Sequence, residues 1–295
     1  LWNKLTYAKR ARTVLAEVYD GYPHTGGTNR IHVSEIAAFV PTNGAAAPLR
    51  ARETNPFQPA MAGYVHELIR HGDTIQIGTG LSTIPLANAG AFDGFVDLGV
   101  HSEVSTPGMN DLVYKGVITG ARKTVNPGKY VATALSATTP EELEFIHENP
   151  VYELHEVHYT NDIQVIAAHD NMVAINNGLT IDLTGQVAAE SIGPEMWSGP
   201  GGQIEFVIGA NYSKGGRSIT MVPATAKGGA VSRIVPEHPP GTIITVPRQF
   251  MDYVVTEFGI ASLYGKNDLE RARELINVAH PDHREDLRRS LKGRD

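Results

Sequence analysis

Cysteine is absent from this chain of 295 residues. That excludes disulfide bonds, Cys-ligated zinc, iron–sulfur clusters and cysteine nucleophiles. Long apolar runs are missing too. None approaches the ~18 residues of a membrane-spanning helix, and no signal-peptide pattern opens the chain. The expectation is a cytoplasmic protein with no membrane partner. Positive charge is in deficit, with Lys+Arg 25 against Asp+Glu 32 and a formal net charge of -7. That balance argues against a nucleic-acid partner gripped through phosphates. It leaves room for a small anion held by backbone N–H groups.

Several catalytic signatures are also lacking. The nucleophile elbow GxSxG fails at its last position in Gly80-Leu81-Ser82-Thr83-Ile84. Neither a GxxxxGK[ST] phosphate loop nor HExxH occurs. His155-Glu156-Val157-His158 has the wrong spacing for zinc and reads as ordinary surface residues, so no metal is expected. Gly78-Thr79-Gly80 follows a strand as in dinucleotide sites, but Thr83 stands where the third glycine belongs.

What is present is an ordinary globular balance, 41% hydrophobic and 19% charged, with Gly 30 and Pro 18 marking many turns. At roughly 150 residues per domain, the length suggests one large or two modest domains. The chain opens on Leu1 rather than Met, directly in a helical pattern, and so reads as a piece whose front part is missing.

Periodicity predicts helices over 4–19, 57–71, 84–91, 108–114, 139–147, 268–278 and 281–292. Thr139 caps the fifth, with Glu141 and Glu142 in its first turn. Strands are expected at 31–33, 36–40, 73–77, 96–100, 116–119, 130–135, 151–154, 164–168, 172–176, 203–210, 217–222, 230–235 and 242–246. Residues 41–56, with three prolines and no periodicity, read as a linker. βα alternation mixed with runs of β predicts an α/β fold, a mostly parallel mixed sheet flanked by helices.

Four features carry possible chemistry. Strand 73–77 runs into a glycine loop, Gly78 to Pro85, then a helix; it is a plain tight turn or a cradle of N–H groups. Glu103 ends a short strand after His101-Ser102, as a helix cap or as a reactive carboxylate beyond the strand ends, where α/β sheets bind ligands. Ser198-Gly199-Pro200-Gly201-Gly202-Gln203 is a functionless loop or a place of close backbone approach before a strand. Lys227, before Gly228-Gly229, is solvated surface or a mobile cation.

In Val33-Ser34-Glu35-Ile36, Asp73 to Gly78, Leu98 to Glu103, Asp182-Leu183-Thr184-Gly185-Gln186, Ser198 to Gln203, Asp252 to Ala261 and Leu275 to Pro281, the sequence resembles the acetyl-CoA hydrolase/transferase family, in its 4-hydroxybutyrate CoA-transferase-like branch. Two departures stand out. Family members carry a long segment before the point where Leu1 falls, and the loop between Gly80 and Ile84 is longer than in that branch.

The resemblance implies a C-terminal CoA-transferase domain over 56–295, with 1–55 the tail of an N-terminal domain. It implies an acyl-CoA:carboxylate CoA-transferase using coenzyme A as acyl-CoA substrate and covalent intermediate, on short acids such as acetate, propionate, butyrate, 4-hydroxybutyrate, succinate or itaconate. It places the nucleophile at Glu103, with oxyanion donors at Ile84 and at Gly201 or Gly202. Gly78, Gly80, Asn176 and Lys227 fall on the cofactor side. With no Cys and no serine elbow, a carboxylate is also the nucleophile the residues themselves leave open. His101 either orients Glu103 or packs. The alternatives are an acyl-CoA hydrolase, in which water intercepts the intermediate, or one CoA-binding half of a split enzyme. A homo-oligomer is expected, with the missing segment or a second chain as a further candidate partner.

Overall fold

Runs such as Thr74–Ile77, Met172–Asn177 and Arg217–Met221 are rich in β-branched residues and almost wholly buried. Strands buried on both faces belong inside a parallel sheet covered by helices. The computed structural model describes residues 1–19, 21–42 and 56–291, and it places these runs at the centre of a nine-stranded sheet. In chain order the strands are β1 (Gly26–Gly27), β2 (Thr74–Ile77), β3 (Gly99–Val104), β4 (Tyr130–Ala134), β5 (Tyr152–Leu154), β6 (Met172–Asn177), β7 (Arg217–Met221), β8 (Tyr253–Thr256) and β9 (Gly259–Ser262).

Their spatial order is β9-β8-β7-β6-β2-β3-β4-β5-β1. Every neighbouring pair is parallel except β8 with β9. The chain lays β2 to β5 outward to one side, then returns to set β6 on the other side of β2. The order therefore reverses between β2 and β6, where Ile75 pairs with Val173. Crevices beyond the carboxyl ends of strands at such a reversal are where α/β sheets bind ligands. The expected mixed, mostly parallel sheet is the one observed.

One apolar cluster (Met61, Val65, Phe92, Leu98, Tyr130, Tyr152) packs beneath β2 to β5. A second (Ile181, Leu183, Val254, Leu275, Ile276) joins β8 to the helix Asp268–Val278. A buried ion pair crosses the sheet's amino end, where the Arg217 guanidinium meets Asp73 and also donates to Leu68 O at 2.8 Å.

Several local expectations fail for identifiable reasons. The helix over 4–19 stops at Arg10, and Leu15–Tyr19 is instead a strand parallel to Ala38–Thr42. Ladder bonds to a distant segment override helical spacing there. Val33–Glu35 is a 3-10 turn capped by His32 rather than a strand. Residues 84–91 form consecutive turns, with bonds Ile84 N–H to Gly80 O, Leu86 N–H to Thr83 O and Ala91 N–H to Leu86 O, spans of four, three and five residues in place of one continuous helical ladder.

The strand expected at 164–168 is the helix Ile163–Ala167, capped by Asp162, whose side chain accepts from Gln164 N–H. The strand expected at 203–210 is the helix Gln203–Tyr212. Its apolar run is buried on several sides, so no amphipathic period marks it. Residues 116–119 and 242–246 contribute only isolated bridges, at Ile118 and Val246. His155 and Glu156 are buried, not surface groups; Glu156 Oε1 accepts from Thr6 N–H at 2.6 Å and ties the first helix to the start of the helix Val157–Thr160. Most of the expected linker, 43–55, lies outside the described residues.

Candidate active site

The carboxyl ends of β2, β3 and β6 converge on a narrow cleft of about 140 Å³. Gln76, Gly78 and Thr79 come from the end of β2, Glu103 from β3, Asn176 and Asn177 from β6, and Ser198 to Gln203 close it from the opposite side. Gly78 N–H donates to Ile175 O at 2.8 Å, which carries the β2–β6 pairing to the rim of the cleft. The amides of Gln76 and Asn176 satisfy each other, with both N–H···O distances at 3.0 Å. A Cβ on Gly78 would collide with the Asn176 side chain, and one on Gly80 with that of Asn177. The loop is glycine-rich so that it can sit against two asparagines.

Glu103 is half-buried and makes no ion pair among the described residues. Its Oε2 accepts from Asn161 Nδ2 at 2.8 Å, and the backbone N–H of Gly202 also bonds the carboxylate. Gly202 is the N-cap of the helix Gln203–Tyr212, so the positive end of that helix faces the carboxylate. Burial pushes the Glu103 carboxyl above its ordinary value; Asn161 and Gly202 pull it back, and nearby Glu205 adds to the rise.

His101 does not touch this carboxylate. Its ring is fully buried, 4.5 Å from that of His169, and Nε2 donates to Thr160 O at 2.9 Å. Burial holds His101 neutral, well below the usual histidine range. The contact still matters, because Thr160 Oγ1 donates to Asn161 Oδ1 at 2.9 Å. That bond turns the Asn161 amide so that Nδ2 faces Glu103. Asn161 lies 58 positions from Glu103 and carries no local signal in the sequence.

A second cavity of about 750 Å³ continues from the cleft. The two share Thr79, Asn177, Ala189 and Ser198 as walls. Gly80, Leu81, Phe258, His280 and the hairpin around Lys227 line the larger one. The structure thus gathers Glu103, Gly78, Asn176, Gly201 and Gly202 around the cleft, and Gly80 and Lys227 around the adjoining cavity. Ile84 lines neither, and its N–H is spent on Gly80 O at 3.0 Å. The expected donor at Ile84 is therefore corrected: the turn at 81–84 folds its N–H back on the loop. Thr79, by contrast, lines both spaces.

Comparison with known proteins agrees with this architecture. Residues 139–291 match the model of the acetyl-CoA hydrolase/transferase C-terminal domain. The chain belongs to the acetyl-CoA hydrolase/transferase family. Within it, the 4-hydroxybutyrate coenzyme A transferase of Clostridium kluyveri is 42% identical over 287 residues, 97% of this chain and 66% of that protein. The crystal structure of RipA from Yersinia pestis superposes with a TM-score of 0.91 at 37% identity, covering 99% of this chain and 66% of that one. An acetyl-CoA hydrolase of Schizosaccharomyces pombe is more distant, 29% identical over 53% of this chain and 31% of that protein. The chain thus spans just under two thirds of the length of the Clostridium kluyveri transferase and of RipA.

Proposed function

We propose that this chain carries the nucleophile and the CoA-side walls of an acyl-CoA:carboxylate CoA-transferase. The observation that carries this reading is Glu103, a carboxylate without a cation partner among the described residues, held by two N–H donors at the strand reversal and open to a cleft that leads into a larger cavity. The small cleft fits a short acyl group beside Glu103. The larger cavity fits the long cofactor arm, with Lys227 at its wall for an anionic end.

The Glu103 carboxylate attacks the thioester carbonyl of an acyl-CoA. Collapse of the tetrahedral intermediate gives a mixed acyl–glutamyl anhydride and expels the CoA thiolate. The thiolate then attacks the Glu103 carbonyl, giving a glutamyl-CoA thioester and releasing the first acid as its carboxylate. A second carboxylate runs the same steps backward. Each step passes an oxyanion, and backbone donors suit it because they are fixed before the charge appears. Gly202 N–H, already aimed at the resting carboxylate, serves one side; Thr79 N–H serves the other in place of Ile84.

The transferase reading is favoured over hydrolysis by the relatives, the transferase at 42% identity along nearly the whole chain and the hydrolase at 29% over half of it. The test is to trap the intermediate in the intact protein. Acyl-CoA followed by a hydride donor should convert Glu103 to an alcohol, read as a mass loss on its peptide, and turnover should require an added carboxylic acid. CoA release at full rate without acid would favour the hydrolase. A Glu103→Ala protein that keeps turnover would remove the nucleophile assignment.

A further inference from the structure

The larger cavity is walled on one side by the hairpin Thr225–Ala226 and Val231–Ser232. Its base is firmly tied. The Arg233 guanidinium donates to Leu179 O at 2.9 Å and to Thr225 O at 3.3 Å, and Ala224 N–H donates to Glu257 Oε2 at 2.8 Å. Its tip is not. Lys227, Gly228 and Gly229 are all in the left-handed backbone region, with φ of +52°, +67° and +97°. A lysine in that region is strained and persists only where its surroundings hold it.

Among the described residues, one hydrogen bond joins this tip to another element: His283 Nε2, on the helix Pro281–Ser290, lies 3.0 Å from Gly229 O. A carbonyl only accepts, so His283 carries its proton on Nε2. The helix is itself anchored. Leu287 is buried, Arg284 Nε donates to Ala279 O at 2.9 Å, and the His280 ring stands edge-on to Phe258, both of which line the same cavity. Lys227 makes no ion pair among the described residues, whereas the other cation on this wall, Arg233, is spent on carbonyls.

We propose that His283 is a positioning residue for the CoA substrate: by holding Gly229 O it fixes the strained tip and keeps the Lys227 ammonium at the cavity wall. The proposal rests on the CoA-transfer reading of the site. His283 is outside the cavity lining and does not meet Glu103, so its loss acts on binding rather than on chemistry.

The test compares intact wild-type protein with His283→Ala and His283→Gln. Calorimetry with free CoA should show about tenfold weaker binding for His283→Ala, the scale of one lost hydrogen bond. The KM for acyl-CoA should rise by the same factor, with kcat little changed. His283→Gln keeps an N–H donor and should recover most of the affinity. An acyl-pantetheine thioester, which lacks the nucleotide and its phosphates, should be used equally well by all three proteins. Unchanged CoA affinity in His283→Ala, or an equal loss with acyl-pantetheine, overturns the proposal while leaving the CoA-transfer reading intact. Wild-type protein that binds no CoA overturns both.

Discussion

Glu103 Oε2 occupies the space that a Cβ on Gly202 would need. The same Cβ would also strike Asn161 Nδ2, so one missing methyl group admits both the carboxylate and its amide partner to the helix N-terminus. Gly202 is required here for closeness, not for an unusual backbone angle, since its φ is -95°.

Gly202→Ala should therefore displace the carboxylate from its donors. The expected loss in kcat is about 10²-fold or more, the scale seen when a single oxyanion donor is lost. Gly201 is the control. Its Cβ would meet nothing within 4 Å, but its φ of +54° makes alanine strained, a cost of about 1–2 kcal/mol in stability. Steady-state kinetics and thermal unfolding of the two variants should separate: Gly202→Ala chiefly loses rate, Gly201→Ala chiefly loses stability. Equal rate losses would show that closeness at Gly202 is not what matters.

The carboxylate's environment predicts a pH dependence. Burial raises the Glu103 pKa, and only the ionised form attacks, so kcat/KM should fall as pH drops through that raised value. Asn161→Ala removes a donor to the charged form and should move this acid limb to higher pH. Glu205→Gln removes a nearby negative charge and should move it lower. Stability runs the other way. A carboxyl whose folded pKa lies above its unfolded value contributes stability that is fully present below the unfolded pKa and is lost as pH rises through the folded pKa. Glu103→Gln should thus melt higher than the wild type at neutral pH while losing turnover. Limbs that move the opposite way in the Asn161 and Glu205 variants would exclude this account.

The sheet was legible because β2, β6 and β7 are short runs rich in β-branched and apolar residues bounded by turn signals, and Glu103 because it closes a strand before a helix-breaking turn. The helix Gln203–Tyr212 was not, since its buried apolar run reads equally well as a strand. That error hid the helix end facing Glu103. Asn161 was illegible for a different reason: it meets Glu103 only through tertiary folding, steered by Thr160 and His101. The motif Asp182 to Gln186, which helped mark the family, proves to be a turn lock. Asp182 Oδ1 accepts from Thr184 N–H at 2.9 Å and Gln186 N–H at 3.0 Å, away from the cleft. A recognisable motif and a reacting group need not coincide.

The ion pair at the sheet's amino end is the clearest stability prediction. Arg217 and Asp73 have side chains only 6% and 1% exposed. Arg217→Met would leave Asp73 buried without its partner and Leu68 O without its donor. Breaking a buried pair in this way costs about 3–5 kcal/mol. Denaturant unfolding should show a drop of that size, and a loss below about 1 kcal/mol would mean that the pair behaves like an exposed one.

The relay from His101 to Glu103 yields the last prediction. Thr160 is fully buried, and its hydroxyl is what distinguishes the two ends of the Asn161 amide. In Thr160→Val the shape is nearly kept but Asn161 Oδ1 loses its donor. The amide is then free to turn, and in the turned state it presents an oxygen, not an N–H, to the carboxylate. Losing one such bond corresponds to about tenfold in kcat. Thr160→Ser keeps the hydroxyl and should keep the rate. Because Thr160 lines neither cavity, KM for acyl-CoA should be the same in both. A fall in kcat shared by Thr160→Ser would point to lost packing of the threonine methyl; a fall confined to Thr160→Val, with the acid limb shifted as in Asn161→Ala, would trace the effect to the carboxylate's amide partner.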